Sequence, residues 1–327
     1  MPKTQIIGTG AYAPEKVITN KDLEKIVDTT DQWIRERTGI QERRAAAEGE
    51  QTSDMAVKAS IRALEMANTR PEDLDMIVVG TISPDMPMPS CAVFVQAKLG
   101  AKKAFAFDLS AACAGSLYAL AIADQYIRTG SAKRVLIVGV ELLTRIIDWE
   151  DRNTCVLFGD AAGAMVLAPS ADDARGVLSV QLHSDGTLAD ILCLPGGGSK
   201  YPLSEEVLQQ KLHKVSMQGR EVYKAAVRSL SEVMMEALAA NKLTPNQITH
   251  VISHQANIRI LESVMERLGI PMEKCWVNIQ RYGNTSSASV PMTLDEANRA
   301  GRLNPGDIIA MMAIGAGIAW GGAIVRW

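Results

Sequence analysis

Cys113 lies in the stretch Phe107 to Gly130, FDLSAACAGSLYALAIADQYIRTG, whose residue types suit nucleophilic chemistry. From Leu109 to Ala123 no residue is charged, and Ala114, Leu117, Tyr118, Leu120, Ala121 and Ile122 leave no polar face, the pattern of a buried helix. Ala104 to Leu109 reads as a short strand, so Cys113 falls where strand turns into helix and faces the positive helix end. Unpaired N–H groups there stabilise a thiolate, the reactive form of cysteine. Small neighbours, Ala111, Ala112, Ala114 and Gly115, leave room for a substrate carbonyl and for backbone donors. A free cysteine packed as a small core hydrophobe fits this stretch equally well.

The elements that must position Cys113 follow in order. Strands are expected at Gln5 to Gly10, Leu74 to Gly80, Arg134 to Gly139 and Ala161 to Ala168, with helices at Thr52 to Asn68 and through Lys98. This alternation implies an α/β protein. The second half repeats the first. Met55 to Gly80, ending PEDLDMIVVG, has a counterpart in Val222 to His254, ending PNQITHVISH. Ala111 to Gly130 matches Tyr282 to Gly301, and aligning the two final glycines pairs Cys113 with Asn284. If the halves pack about a pseudo-twofold axis, the two buried helix starts meet, and Asn284 and His254 face Cys113. The division runs at residues 1–172, carrying the cysteine, and 173–327, carrying the histidine and asparagine.

Composition excludes several classes. The chain has 327 residues, 47% hydrophobic and 22% charged, ordinary for a globular protein with two core-bearing halves. A net charge of −3 without long runs of like charge gives no sign of nucleic-acid binding. Five cysteines without CxxC or Cys/His ligand spacing argue against a disulfide framework and a metal site, and point to a reducing compartment. The N-terminal stretch lacks the apolar core of a signal peptide, so the cytoplasm is expected. Ile308 to Val325 is uncharged but holds Gly315, Gly317, Gly321 and Gly322, which favours two buried strands over a membrane helix. PGGGSK and GAGIAWG lack phosphate-loop and dinucleotide spacing. Cys91, Cys155, Cys193 and Cys275 read as core residues, and His183, His213 and His250 as structural or exposed.

A Cys, a His and an Asn gathered in one place fit nucleophilic acyl transfer. The segments GTGAYAPEKVITN, DTTDQWIRERTGI, DLSAACAGSLYALAIADQYI, FGDAAGAMVL, HQANIRI, YGNTSSASVP and the closing GAGIAWGGA resemble, over essentially the whole chain, the β-ketoacyl-acyl carrier protein synthase III family. The resemblance implies a thiolase-like fold, layered α-β-α-β-α from two duplicated halves, and a homodimer. It implies condensation of an acyl-CoA primer with malonyl-acyl carrier protein to start fatty-acid synthesis, with a CoA thioester as substrate and no cofactor or metal. Cys113 would be the acylated nucleophile, with its own amide and that of Ala316 as oxyanion donors; His254 and Asn284 would hold the enolate of malonyl decarboxylation as neutral donors.

The same resemblance marks a CoA site. Trp33 and Arg152 would sandwich the adenine, with Thr29, Arg37, Gly219 and Asn257 along the nucleotide and pantetheine. Lys224 and Arg259 would dock the acidic carrier protein. Two departures from the family pattern stand out: the closing motif carries Ala316 between Gly315 and Gly317, and Met88 replaces a common Phe beside the primer pocket, which leaves primer length open. Two other readings stay open on sequence: a related acyl-CoA-dependent acyltransferase that does not decarboxylate, and a starter condensing enzyme of a secondary-metabolite pathway.

Overall fold

The computed structural model describes residues 2–327. In the first half, β1 (Thr4–Tyr12), α1 (Thr52–Met66), β2 (Met76–Gly80), α2 (Cys91–Leu99), β3 (Phe105–Leu109), α3 (Gly115–Arg128), β4 (Val135–Glu141) and β5 (Ala161–Pro169) build a sheet of order β1-β5-β4-β2-β3. Strands β4, β2 and β3 run parallel, while β5 is antiparallel to β4 and β1. The buried runs MIVVG and VLIVGVE have no polar alternation because helices cover both of their faces.

The second half repeats this wiring. It comprises β6 (Gly176–Ser184), α4 (Gly219–Ala240), β7 (His250–Ser253), α5 (Ile258–Leu268), α6 (Ser289–Arg299), β8 (Ile308–Gly315) and β9 (Ala319–Arg326), with sheet order β7-β8-β9-β6. Strand β7 is parallel to β8, and β9 is antiparallel to both its neighbours. The place of β3 is taken by a single parallel bridge between Val251 and Cys275. The expected pair of strands at the end of the chain is β8 and β9, joined by a turn at Ala316–Ile318.

Helices α3 and α6 lie side by side between the two sheets. Ala114, Leu117, Leu120, Val290 and Leu294 form one apolar cluster with Val78 and Ile137 of the first sheet and Met311 and Ala313 of the second. Helices α1 and α2 cover the outer face of the first sheet, and α4 and α5 that of the second. The layers are therefore α-β-α-β-α, as the resemblance implied.

The helix of the second half sits directly on the sheet of the first. Gly139 of β4 permits this, since a Cβ there would lie within contact-forbidden distance of the Ser287 carbonyl oxygen. Thr9 Oγ1 of β1 donates to Asp295 of α6 at 2.8 Å. Reciprocally, Tyr118 of α3 donates to the His183 carbonyl of β6 at 2.8 Å, and Arg128 to that of Val177 at 2.9 Å. Among the described residues no helix is long and apolar enough to cross a membrane.

Candidate active site

The chain passes into a buried helix twice through the same device. Ala112 (φ 44°) opens a 3-10 turn, Ala112–Ala114, ahead of α3; Ser286 (φ 49°) opens Ser286–Ala288 ahead of α6. Positive φ at a residue bearing a Cβ costs on the order of 1–3 kcal/mol and persists only where surrounding packing fixes it. Matching these turns pairs Cys113 with Ser287, which corrects the pairing of Cys113 with Asn284 expected from the repeat. Helix α3 has 14 residues and α6 has 11, so an alignment anchored on Gly130 and Gly301 is three residues out of step at the helix starts. Asn284 arrives at the site all the same, from the segment just before its turn.

A cavity of about 660 Å3 holds Cys113, His254 and Asn284 at its buried end, with Phe158 and Gly315. Trp33, Arg37, Gly219, Asn257 and Arg259 line its more exposed part. Gly315 lies against the nucleophile: a Cβ there would sit 2.5 Å from the Cys113 amide nitrogen. Asn284 is held at both backbone groups, its N–H donating to Leu157 O at 2.8 Å and its C=O accepting from Gly159 at 3.0 Å. Its Oδ1 accepts from the Ser286 amide at 2.9 Å, so Nδ2 is the end left to donate toward a ligand.

Burial governs protonation here. Cys113 is 6% exposed, and desolvation pushes its thiol up to about 12, with a hydrogen bond from Ser286 pulling down and the Glu141 charge pushing up. This burial works against the thiolate expected at a helix start, and α3 begins two residues beyond Cys113. Burial likewise pushes His254 down to about 3, so the ring is neutral at physiological pH. Its Nδ1 lies 2.7 Å from Ser289 Oγ, which itself donates to Ser286 O at 2.9 Å. With the Ser289 proton on that carbonyl, Nδ1 donates and Nε2 is an acceptor; turning the hydroxyl toward the ring gives the opposite tautomer, with Nε2 a donor.

The expected CoA residues divide. Arg152 stacks directly on Trp33, its guanidinium carbon 4.5 Å from the ring centroid, while Arg37 is 5.9 Å away. Stacking on both faces of an adenine would need about twice the usual van der Waals spacing, so the slot is closed and Arg152, which also donates to Asp28 O at 2.7 Å, must move to admit a ring. Asn257 caps α5 through the Arg259 amide at 2.9 Å and donates to Arg37 O at 3.0 Å. Thr29, half-buried with an unpartnered hydroxyl, lies outside the cavity lining.

Four placements differ from expectation. Met88 is 83% exposed on the loop between β2 and α2 and does not line the cavity of its own chain, because that loop projects outward. Lys224 is also outside the lining and pairs with Glu221 at 2.9 Å, whereas Arg259 is at the rim. Gly315 rather than Ala316 faces the cavity, and the positive φ of that turn falls on Gly317 (92°), so Ala316 carries its Cβ without backbone strain. Cys193 is half-buried rather than in the core. Sequence reasoning missed Arg220 at the rim and Phe158, which bridges to Asn284 in parallel register. It also missed Glu141 and Ser286, whose only signal was position: the end of one buried strand and the residue three before Ser289.

Residues 107–186 match the family model described as 3-oxoacyl-[acyl-carrier-protein (ACP)] synthase III, and residues 238–327 match the model of its C-terminal part. The chain is 51% identical over 322 residues to the β-ketoacyl-[acyl-carrier-protein] synthase III of Caldanaerobacter subterraneus, covering 98% of this chain and 97% of that one. The chain belongs to the 3-oxoacyl-[acyl-carrier-protein] synthase III family. A crystal structure of the family enzyme from Aquifex aeolicus VF5 superposes with TM-score 0.92 at 47% identity, covering 99% and 100% of the two chains. The priming β-ketosynthase of the R1128 polyketide pathway superposes with TM-score 0.91 at 35% identity, covering 99% and 97%. As a synthase III, the chain is a condensing acyltransferase of the thiolase fold.

Proposed function

We propose that the enzyme transfers an acyl group from acyl-CoA to Cys113 and condenses it with malonyl-acyl carrier protein, releasing CO2 and a β-ketoacyl-acyl carrier protein. The observation that carries this reading is the single cavity joining Cys113, His254 and Asn284 to a rim with Trp33, Arg37 and Arg259. Acyl transfer exchanges one thioester for another, so it costs little; its barrier is the tetrahedral oxyanion, which the Cys113 amide and an amide of the Gly315–Ala316 turn would meet. Decarboxylation builds charge on the malonyl thioester oxygen. The Asn284 Nδ2 and the Nε2–H tautomer of His254 are neutral donors suited to it. Neither half-reaction asks for a metal or a cofactor.

CoA would enter along Asn257, Gly219 and Arg37, its adenine taking the face of Trp33 that Arg152 now covers, near Thr29. Arg259, with Arg220, and Lys224 further out would meet an acidic carrier protein. The working form in this reading is a cytoplasmic homodimer. Strand β3 is the sheet edge, and its first residue, Phe105, is 45% exposed; Met86 (43%) and Met88 (83%) are exposed on the loop between β2 and α2. A second copy covering this edge would bury them, and Met88 could then border a primer pocket only in the neighbouring copy. The chain is 51% identical to a β-ketoacyl-[acyl-carrier-protein] synthase III and 35% identical to the polyketide priming enzyme, which supports the role in starting fatty-acid synthesis.

The test is intact mass after mixing with acetyl-CoA alone. A gain of one acyl group is expected, abolished by Cys113→Ser and retained by Cys275→Ser. No gain with any acyl-CoA would refute the nucleophile. Release of CO2 from malonyl-carrier protein separates a condensing enzyme from a simple acyltransferase.

A further inference from the structure

Behind Cys113 lies a carboxylate for which the reaction described so far has no use. Glu141 ends β4 with no exposed surface, and none of the ion pairs among the described residues includes it. An unpaired buried carboxylate is costly and needs a reason. Its Oε2 accepts from Ser83 Oγ at 2.6 Å, the Ile82 amide at 3.1 Å and Thr81 Oγ1 at 3.2 Å. Its Oε1 accepts from Ser286 Oγ at 3.1 Å, and Ser286 opens the turn that packs against the turn of Cys113, close enough for its hydroxyl to act on the thiol.

We propose that Glu141 is the proton acceptor for the nucleophile, reached from Cys113 through the Ser286 hydroxyl. This rests on the reading that Cys113 is acylated. As Sγ bonds the acyl carbonyl carbon, its proton passes to Ser286 Oγ while the Ser286 proton passes to Oε1. The C–S bond to CoA breaks, and CoA leaves as a thiolate that takes a proton from water. When the carbon freed by malonyl decarboxylation attacks the acyl carbonyl, the Cys113–acyl bond breaks and the stored proton returns along the same path. One solvent proton is consumed per turnover, which balances the loss of CO2. Glu141 touches no substrate and is a positioning residue, whereas Ser286 meets the reacting sulfur.

Burial, opposed by hydroxyl and amide donors, pushes Glu141 up to about 7, where a carboxylate can both take and return a proton. The groups facing it leave this setting undisturbed. Ser83 and Thr81 from the loop after β2, and Ser286 and Ser287 from the turn before α6, are neutral. Cys113 titrates far above it, and His254 on the cavity wall is neutral. Asp160, just before β5, turns its carboxylate to the Thr144 and Ala46 amides.

The experiment follows acylation of Cys113 by acyl-CoA with rapid quench and mass detection, from about pH 5 to about pH 9, in the wild type, E141Q, E141D and S286A. The wild-type rate should rise to a plateau through an inflection near 7. E141Q and S286A should lose roughly 10²-fold or more at neutral pH and climb steadily with pH, at unchanged KM, and E141D should regain part of the inflection. An unchanged inflection in E141Q, or a loss equal at every pH, overturns the proposal. Alkylation of Cys113 by iodoacetamide in the wild type needs no variant: an inflection near the same pH supports the relay, and a rate that only climbs overturns it. That profile still reads the relay should acyl-CoA fail to label the protein, which would instead refute the acylation reading.

Discussion

Asn284 spends its side-chain oxygen on the Ser286 amide and keeps Nδ2 for the cavity, so its two ends have separable uses. Asn284→Ala removes one donor from the decarboxylation step and should lower condensation by roughly 10²- to 10³-fold. Acylation of Cys113 should fall less than about tenfold, since backbone amides hold that oxyanion. Comparing acyl-enzyme formation by mass with product formation in the same variant checks this; loss of acylation with decarboxylation intact would reverse the roles assigned to the two donor sets. At this scale the sequence was readable for residue identity but not for protonation. Cys113, His254 and Asn284 were singled out from motifs, and the structure gathers them in one cavity, whereas the protonation of thiol and imidazole depends on how completely the chain excludes water around them, which no local pattern encodes. Arg152 illustrates the same limit: its type suited stacking, but its closed position on Trp33 depends on Asp28, far away in sequence.

The turn between β8 and β9 and the turn before α3 meet at Gly315, where element geometry becomes chemistry. A methyl group there would press on the Cys113 nitrogen at 2.5 Å and on Ala111 O at 2.9 Å, so Gly315→Ala must push the nucleophile's turn aside. Displacements approaching 1 Å at a reacting centre cost about 10²-fold, so acylation by Gly315→Ala should drop by roughly that factor. Ala316→Gly should stay within about threefold, because Ala316 needs no positive φ and borders the cavity from outside. Acylation rates of the two variants side by side decide it, and equal rates would remove Gly315 from the oxyanion site. The elements themselves were legible: periodicity placed α1, β2, β4 and the closing strand pair within a few residues. The register of the repeat was not, since the missing turn of α6 leaves its ends looking alike in sequence and shows only where the strained residues Ala112 and Ser286 coincide.

For the whole molecule, the exposed Phe105, Met86 and Met88 about the β3 edge call for a partner, since unpaired strand edges with apolar side chains invite association. Light scattering at low concentration should give twice the 35.3 kDa chain mass. Replacing Phe105 and Met88 by Lys should shift the population toward monomer, and a wild-type monomer would leave the edge unexplained. The seating of α6 on the first sheet, through Gly139 and the Thr9–Asp295 hydrogen bond, has another consequence. Each half lends its central helix to a sheet made by the other, so the repeat boundary is a seam of descent and not of stability. The chain should melt in one calorimetric transition, with neither 1–172 nor 173–327 soluble when expressed alone, and should become native again only if both segments are present while folding.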